Sequence, residues 1–197
     1  MIPGPMPACP QQLIVLGPPG SGKSTHAARV AERLGAAHVN LGALFRELGK
    51  HDPAIGAALS EGRLLPDDVA ERVVRERLAA LPDGQGFVLD GYPRSPAQAA
   101  ALRRMLSELG RLEPRPVVVR LDVPRDELVR RLTRRRDLEG RPDDTDAAIA
   151  HRLAHDGAQA QPLIDAMAGW FEVVDVDGAQ PVEAVTEQIV AALRCPS

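Results

Sequence analysis

Thirteen residues near the N-terminus, LIVLGPPGSGKST from Leu13 to Thr25, constrain this chain more than any other stretch. Four apolar residues lead into a glycine-rich bend that ends in Lys-Ser-Thr, with the spacing GxxxxGK[ST]. A buried strand that turns sharply into a helix while exposing its backbone N–H groups makes a cradle for a phosphate chain. Gly17, Gly20 and Gly22 permit the unusual dihedrals and the close approach of phosphate; Lys23 supplies a cation and Ser24 a hydroxyl that can ligate Mg²⁺. An Ala/Val/Leu-patterned helix follows, as the loop requires. The stretch specifies a nucleotide site and leaves open what receives the phosphate.

Three further runs share the apolar, β-branched character of Leu13–Leu16: Phe87–Leu89, Val117–Leu121 and Phe171–Val174, with a weaker one at His38–Leu41. Helical patterns lie between them at Ser24–Leu34, Asp67–Leu81, Pro96–Leu109 and Arg125–Arg136. Short buried strands alternating with helices specify a parallel sheet covered on both faces. The expected fold is therefore α/β, three layers deep and of the P-loop NTPase type, with a five-stranded parallel sheet between helices. Such a sheet binds its ligand beyond the carboxyl ends of its strands, where the glycine loop already falls. Two stretches depart from this core: Asn40–Pro66, helical but broken by Gly42, Gly49, Pro53, Gly56 and Gly62, and the polar bend Asp137–Asp144.

The 197 residues suffice for one well-buried core. A formal net charge of −3 opposes a general electrostatic grip on nucleic acid or anionic membrane, and no apolar run approaches the length that spans a bilayer. Residues 1–12, MIPGPMPACPQQ, hold four prolines and no Lys or Arg; they read as a loose, flexible arm rather than a secretory signal, and a cytoplasmic location is expected. Cys9 and Cys195 cannot form a four-thiolate zinc site and are read as bystanders. His26, His38, His51, His151 and His155 show no metal spacing and are read as surface or helix-packing residues.

A second signature, GFVLDGYPRSPAQ from Gly86 to Gln98, bears on the acceptor. An apolar strand ends in Asp90, which places a carboxylate beside the glycine loop where it can hold Mg²⁺-bound water. Gly91 lets the chain turn, Pro93 stiffens the exit, and Arg94 is aimed in front of the sheet. A hydroxyl acceptor would call for a base to take its proton. A phosphate acceptor is already an anion, and the obstacle becomes charge repulsion, which arginines, magnesium and backbone N–H groups overcome by position. The chain is rich in suitable arginines. Arg131 and Arg135, four apart, share a helix face; Arg141 and Arg152 follow across the bend, while Arg130, Arg134 and Arg136 read as a solvated face.

GPPGSGKST together with LDGYPRSPAQ closely resembles the adenylate kinase family of nucleoside monophosphate kinases, and the resemblance extends from Leu13 to about Leu193 through NLGALFREL, EGRLLPDDV, LDVPRDELVRRLTRRR, GRPDDTDAAIAHRL and VDVDGAQPV. It implies a single kinase domain over 13–197: a core of 13–39, 67–134 and 145–197, a helical monophosphate-binding arm at 40–66, and a short lid at 135–144. It implies the reaction ATP + AMP to two ADP, Mg²⁺-dependent and without zinc, in a monomer whose partners are ATP, AMP and ADP, with neither nucleic acid nor membrane. Gly20, Ser21, Gly22, Lys23, Ser24 and Thr25 would wrap the ATP phosphates, Arg131 would lie along the ATP adenine, Arg135 would touch the phosphates, and Gln180 would meet the adenine through its carbonyl. Arg46 and Arg94 would clamp the α-phosphate of AMP, and Arg141 and Arg152 would bridge the two phosphate chains on closure. Gln98 matches the glutamine that reads the AMP base, beside Gly91, Tyr92, Pro93, Leu41 and the backbone of Arg63, Leu64 and Leu65; Ser24 and Asp90 would face the metal.

Ser24 stands where many family members have Gly, Leu41 where they usually have Thr against the base, and Ala43 where they usually have Asp. Leucine offers apolar surface in place of a hydroxyl, so the preference for AMP is expected to narrow, with CMP or UMP as the second acceptor. The other readings are a kinase of another nucleoside monophosphate, a kinase of a small hydroxylated metabolite, and a module that senses ATP without turnover. Arg46, Arg94 and Gln98 argue against the metabolite kinase, and Lys23, Asp90, Arg94 and Arg135 against the sensor.

Overall fold

A computed structural model of the protein describes residues 12–61, 63, 65–139 and 145–193. Its centre is β1 (Gln12–Leu16), in which all five residues are buried. On one side of it lie β3 (Phe87–Asp90) and then β2 (Ala37–Asn40); on the other lie β4 (Val117–Asp122) and then β5 (Glu172–Asp177). Every pairing is parallel. The chain first builds outward to β2 and back to β3, then crosses β1 to build β4 and β5. The crevice beyond the carboxyl end of β1 is therefore the switch point at which open parallel sheets bind ligands.

Side-chain alternation along β1 divides the core. Ile14 and Leu16 point into a cluster with Leu78 from α4 (Asp67–Ala79), Leu102 and Met105 from α5 (Pro96–Glu108), and Met167 from α7 (Asp146–Ala168). Leu13 and Val15 point the other way, onto Ala27 and Val30 of α1 (Lys23–Leu34) and Val185 and Ile189 of α8 (Val182–Ala192). Three layers result, as the strand–helix alternation requires. A third cluster, Val123, Leu128, Leu132, Ile149 and Leu153, joins α6 (Arg125–Glu139) to the first half of α7. Between β2 and α4 lie α2 (Leu41–His51) and α3 (Pro53–Ser60), which share the junction Asp52: its side chain caps α3 by accepting from the Ala54 and Ile55 N–H groups.

Two boundaries differ from the sequence expectation. α6 stays helical through Glu139, into the stretch expected from Asp137 as a polar bend, and the rest of that stretch, 140–144, lies outside the described residues; Arg136 bonds to both Asp137 and Asp146, tying the end of α6 to the start of α7. The last strand starts after Phe171, a core plug 5 % exposed, and runs on to Asp177. As an edge strand, β5 carries a mixed polar pattern that conceals it from a search for apolar runs. Among the described residues, no helix is long and apolar enough to cross a membrane.

Candidate active site

The loop after β1 is shaped by what packs on it. Gly20 has φ +84°, and a Cβ there would lie 2.9 Å from Leu132 Cγ and 3.0 Å from the Leu128 carbonyl oxygen. Only glycine lets α6 cross this closely, and the crossing brings the arginines of α6 to the loop. Gly22 is the N-cap of α1, so Lys23, Ser24 and Thr25 form the first turn of a helix whose N-terminus favours an anion. Ser24 and Thr25 are exposed, and Ser21 is buried, its hydroxyl without a hydrogen-bond partner among the described residues.

Lys23 folds back over the loop, donating from Nζ to the carbonyls of Gly17 at 2.6 Å and Pro18 at 2.8 Å. Burial lowers its pKa from the ordinary lysine value to about 8; Asp90 and Asp156 oppose the shift, while Arg94 and Arg135 reinforce it. Charges from β3, α6, α7 and the turn after β3 thus act on one ammonium.

Asp90, 2 % exposed, ends β3 opposite Val15 of β1 and Asn40 of β2. That register places Asn40 beside it, and Asn40 Nδ2 donates to Asp90 Oδ2 at 2.8 Å. His38, two residues earlier on β2, brings Nε2 to 3.6 Å from the same oxygen. Burial works to raise the carboxyl pKa, but His38, Lys23 and Ser24 outweigh it and hold Asp90 below the usual carboxylate range. The other end of the Asn40 amide caps α2, with Oδ1 accepting from the Ala43 N–H at 2.8 Å. Neither Asn40 nor His38 stood out in the sequence, because the strand order that sets them beside Asp90 is not written in either segment.

After Asp90 the chain turns at Gly91, φ +86°, and passes a cis Tyr92–Pro93 peptide into α5. Arg94 Nε donates to the Gly91 carbonyl at 2.9 Å. A Cβ on Gly91 would lie 3.5 Å from Arg94 Nη2 and 3.8 Å from the Gly42 N, and one on Gly42 would lie 3.4 Å from Arg46 Nη1. Two guanidinium groups therefore flank the N-terminal turn of α2, an arrangement suited to an anion. Tyr92 is fully buried, and its hydroxyl donates to the Gln98 carbonyl at 3.2 Å.

Arg131 Nη1 donates to the carbonyls of Gly178 at 3.0 Å and Ser21 at 3.5 Å, strapping the loop after β5 to the glycine loop. Arg135 is half-buried on the same face of α6. Gln180 is exposed in the loop before α8, its side chain bonded to Asp177 and Gln188. Arg63 is exposed and Leu65 buried at the approach to α4. Leu41, 1 % exposed, packs inward at the start of α2 and presents no open surface. Arg141 and Leu64 lie outside the described residues; Arg152 stands in α7, and its side chain lies outside the described part.

His26 is the buried histidine of this region, 3 % exposed. Thr186 donates to the Val182 carbonyl at 2.8 Å, so its oxygen accepts from His26 Nδ1 at 3.1 Å and the imidazole pins α1 to α8. Burial lowers the His26 pKa, aided by Arg29 and Arg131 and opposed by Glu183. The folded chain therefore resists a proton that the unfolded chain accepts below about pH 6.5. Its full stability contribution is present above that pH and is lost as pH falls below it. A urea midpoint that drops from pH 7.5 to pH 5.5 is expected, with a shallower drop in His26→Gln; equal slopes would show that His26 does not contribute.

A glycine loop and its lysine, an ionised strand-end carboxylate and arginines from three elements, gathered at the switch point of a parallel sheet, define a P-loop nucleotide-binding kinase of the phosphoryl-transfer class. The family model described as adenylate kinase matches residues 15–170. Among curated proteins, the adenylate kinase of Micrococcus luteus is 38 % identical over 186 residues, covering 92 % of this chain and 90 % of that protein. The adenylate kinase of Kocuria rhizophila is 40 % identical over 187 residues (93 % and 98 %), and that of Stenotrophomonas maltophilia strain R551-3 is 37 % identical over 190 (93 % and 99 %). The chain belongs to the adenylate kinase family.

Proposed function

We propose that this chain catalyses the reversible, Mg²⁺-dependent transfer of the γ-phosphoryl group of ATP to AMP, giving two ADP. The observation that carries the reading is that Arg46 and Arg94 flank the start of α2 beside the glycine loop and its Lys23, whose ammonium also feels the charges of Arg94 and Arg135. One cation-rich region serves a donor phosphate chain, and the second serves an anionic acceptor. Catalysis is then positioning and charge neutralisation, with no proton to remove from the acceptor.

Gly20 to Thr25 wrap the ATP phosphates, and Lys23 releases the Gly17 and Pro18 carbonyls to reach them. Arg131 lies along the ATP adenine beside Gln180. Arg46 and Arg94 hold the α-phosphate of AMP, and Gln98 reads its base in a pocket formed by Arg63 to Leu65 and Gly91 to Pro93. Arg135, Arg141 and Arg152 gather over the phosphates as 135–144 closes and excludes water. Asp90 and Ser24 would hold Mg²⁺; both are oxygen donors, which suits a hard cation that keeps several waters and takes its other ligands from phosphate. When bound, the metal neutralises charge on the transferring phosphoryl group.

A dinucleotide that joins two adenosines through five phosphates would occupy both halves at once. It is expected to bind one per chain, about 10²–10⁴-fold more tightly than ATP. Calorimetry that finds it no tighter than ATP would contradict a site for two nucleotides.

A further inference from the structure

The side chain of Gln98 is held in one orientation. It is 5 % exposed, its Oε1 accepts from the Arg94 N–H at 2.8 Å, and its Nε2 donates to Asp67 Oδ1 at 2.6 Å. Its backbone is fixed as well, with the N–H donating to Ser95 Oγ at 3.2 Å and the carbonyl accepting from the Tyr92 hydroxyl at 3.2 Å. Arg94 N–H can only donate and the Asp67 carboxylate can only accept. The carboxamide oxygen must therefore face Arg94 and its nitrogen Asp67. One N–H and one oxygen lone pair remain for a ligand.

Taking Gln98 as the residue that meets the acceptor's base, on which this inference rests, the structure assigns Asp67 as a positioning residue that fixes the donor–acceptor polarity of the base reader. Adenine and cytosine each present a ring nitrogen acceptor beside an amino donor. Guanine and uracil present a ring N–H donor beside a keto acceptor. A carboxamide of fixed polarity complements the amino bases. A keto base, anchored through its phosphate and unable to turn over, would need the amide rotated by half a turn. That rotation sets an N–H₂ group against the Arg94 N–H and an oxygen against the Asp67 carboxylate. The acceptor class is thus 6-amino purine and 4-amino pyrimidine monophosphates, and the second acceptor is CMP rather than UMP.

The test is kcat/KM for AMP, CMP, GMP and UMP at saturating MgATP, in the wild type and in Asp67→Asn, Asp68→Asn and Gln98→Ala. The wild type should favour AMP over GMP, and CMP over UMP, each by about five- to 150-fold, the range for a bidentate base contact. In Asp67→Asn the new amide can donate to a rotated Gln98, and both ratios should fall by about two- to twelve-fold. The change should appear in KM for the monophosphate, with kcat for AMP and KM for ATP preserved. Asp68→Asn removes a charge from the same helical turn of α4 and should leave the ratios alone. If Asp67→Asn weakens all four acceptors equally, Asp67 only supports the helix terminus and the assignment fails. If Gln98→Ala keeps the ratios intact, Gln98 does not read the base and the underlying reading falls with the inference. If Gln98→Ala erases them while Asp67→Asn leaves them untouched, the role of Asp67 alone is refuted. UMP used as well as CMP by the wild type would overturn the inference without any variant.

Discussion

Arg94→Ala is expected to lower kcat with ATP and AMP by about 10²–10³-fold, the loss seen when one preorganised donor to a developing charge is removed. The site makes this substitution unusually clean. The Arg94 N–H that bonds to Gln98 belongs to the backbone and survives the change, and Ser95 still caps α5 by accepting from the Gln98 N–H. Only the guanidinium is lost, with its bond to the Gly91 carbonyl. The turn and the helix start should persist, so the melting temperature should stay close to the wild type while turnover falls. Arg94→Lys keeps the charge without the planar fork and should recover only part of the loss. Turnover unchanged in Arg94→Ala would remove this residue from the site.

Lys23→Met is expected to reduce kcat to a similar degree, and by a route that separates function from stability. In the nucleotide-free chain the ammonium is held by two carbonyls, and burial drives its pKa down to about 8. The fold thus tolerates this charge rather than gaining from it, and a methionine of similar length removes the buried charge. The variant's melting temperature should match the wild type, whereas the rise that MgATP produces in the wild type should vanish. In the wild type, kcat/KM for ATP should decline as pH rises through about 8, because the free enzyme loses the proton that makes Lys23 a phosphate ligand. A variant that still shows the full MgATP-induced rise would place the phosphates elsewhere.

The parts of this protein that the sequence displays are those in which chemistry and local geometry coincide. Leu13–Leu16 is apolar because it lies at the centre of the sheet, and the glycines follow because the loop must turn under α6; one segment carries both facts. Asp90 and Arg94 are legible for the same reason, since strand end, turn and charge are adjacent. The edge of the sheet is harder to read. In β5 itself Val176 is the buried residue, with Phe171 plugging the core just before the strand, and the interspersed Glu172 and Asp175 reflect an edge rather than a loop. The contacts made by sheet order and by helix packing across the sequence are silent. His38 and Asn40 reach Asp90 only because β2 lies beside β3, and Asp67 reaches Gln98 across 31 positions through the packing of α4 on α5. Leu41, which the family pattern places against a base, is drawn inward where β2 runs straight into α2.

Phosphorus NMR of a reaction started with MgATP tests directly whether the phosphoryl acceptor is the phosphate of AMP. With AMP present, the ATP γ-phosphate and AMP signals should decline together while two ADP appear for each AMP consumed, and ADP alone should return ATP and AMP. With adenosine in place of AMP, no transfer should occur. ADP released together with inorganic phosphate, at a rate independent of AMP, would show that water and not AMP accepts the phosphoryl group.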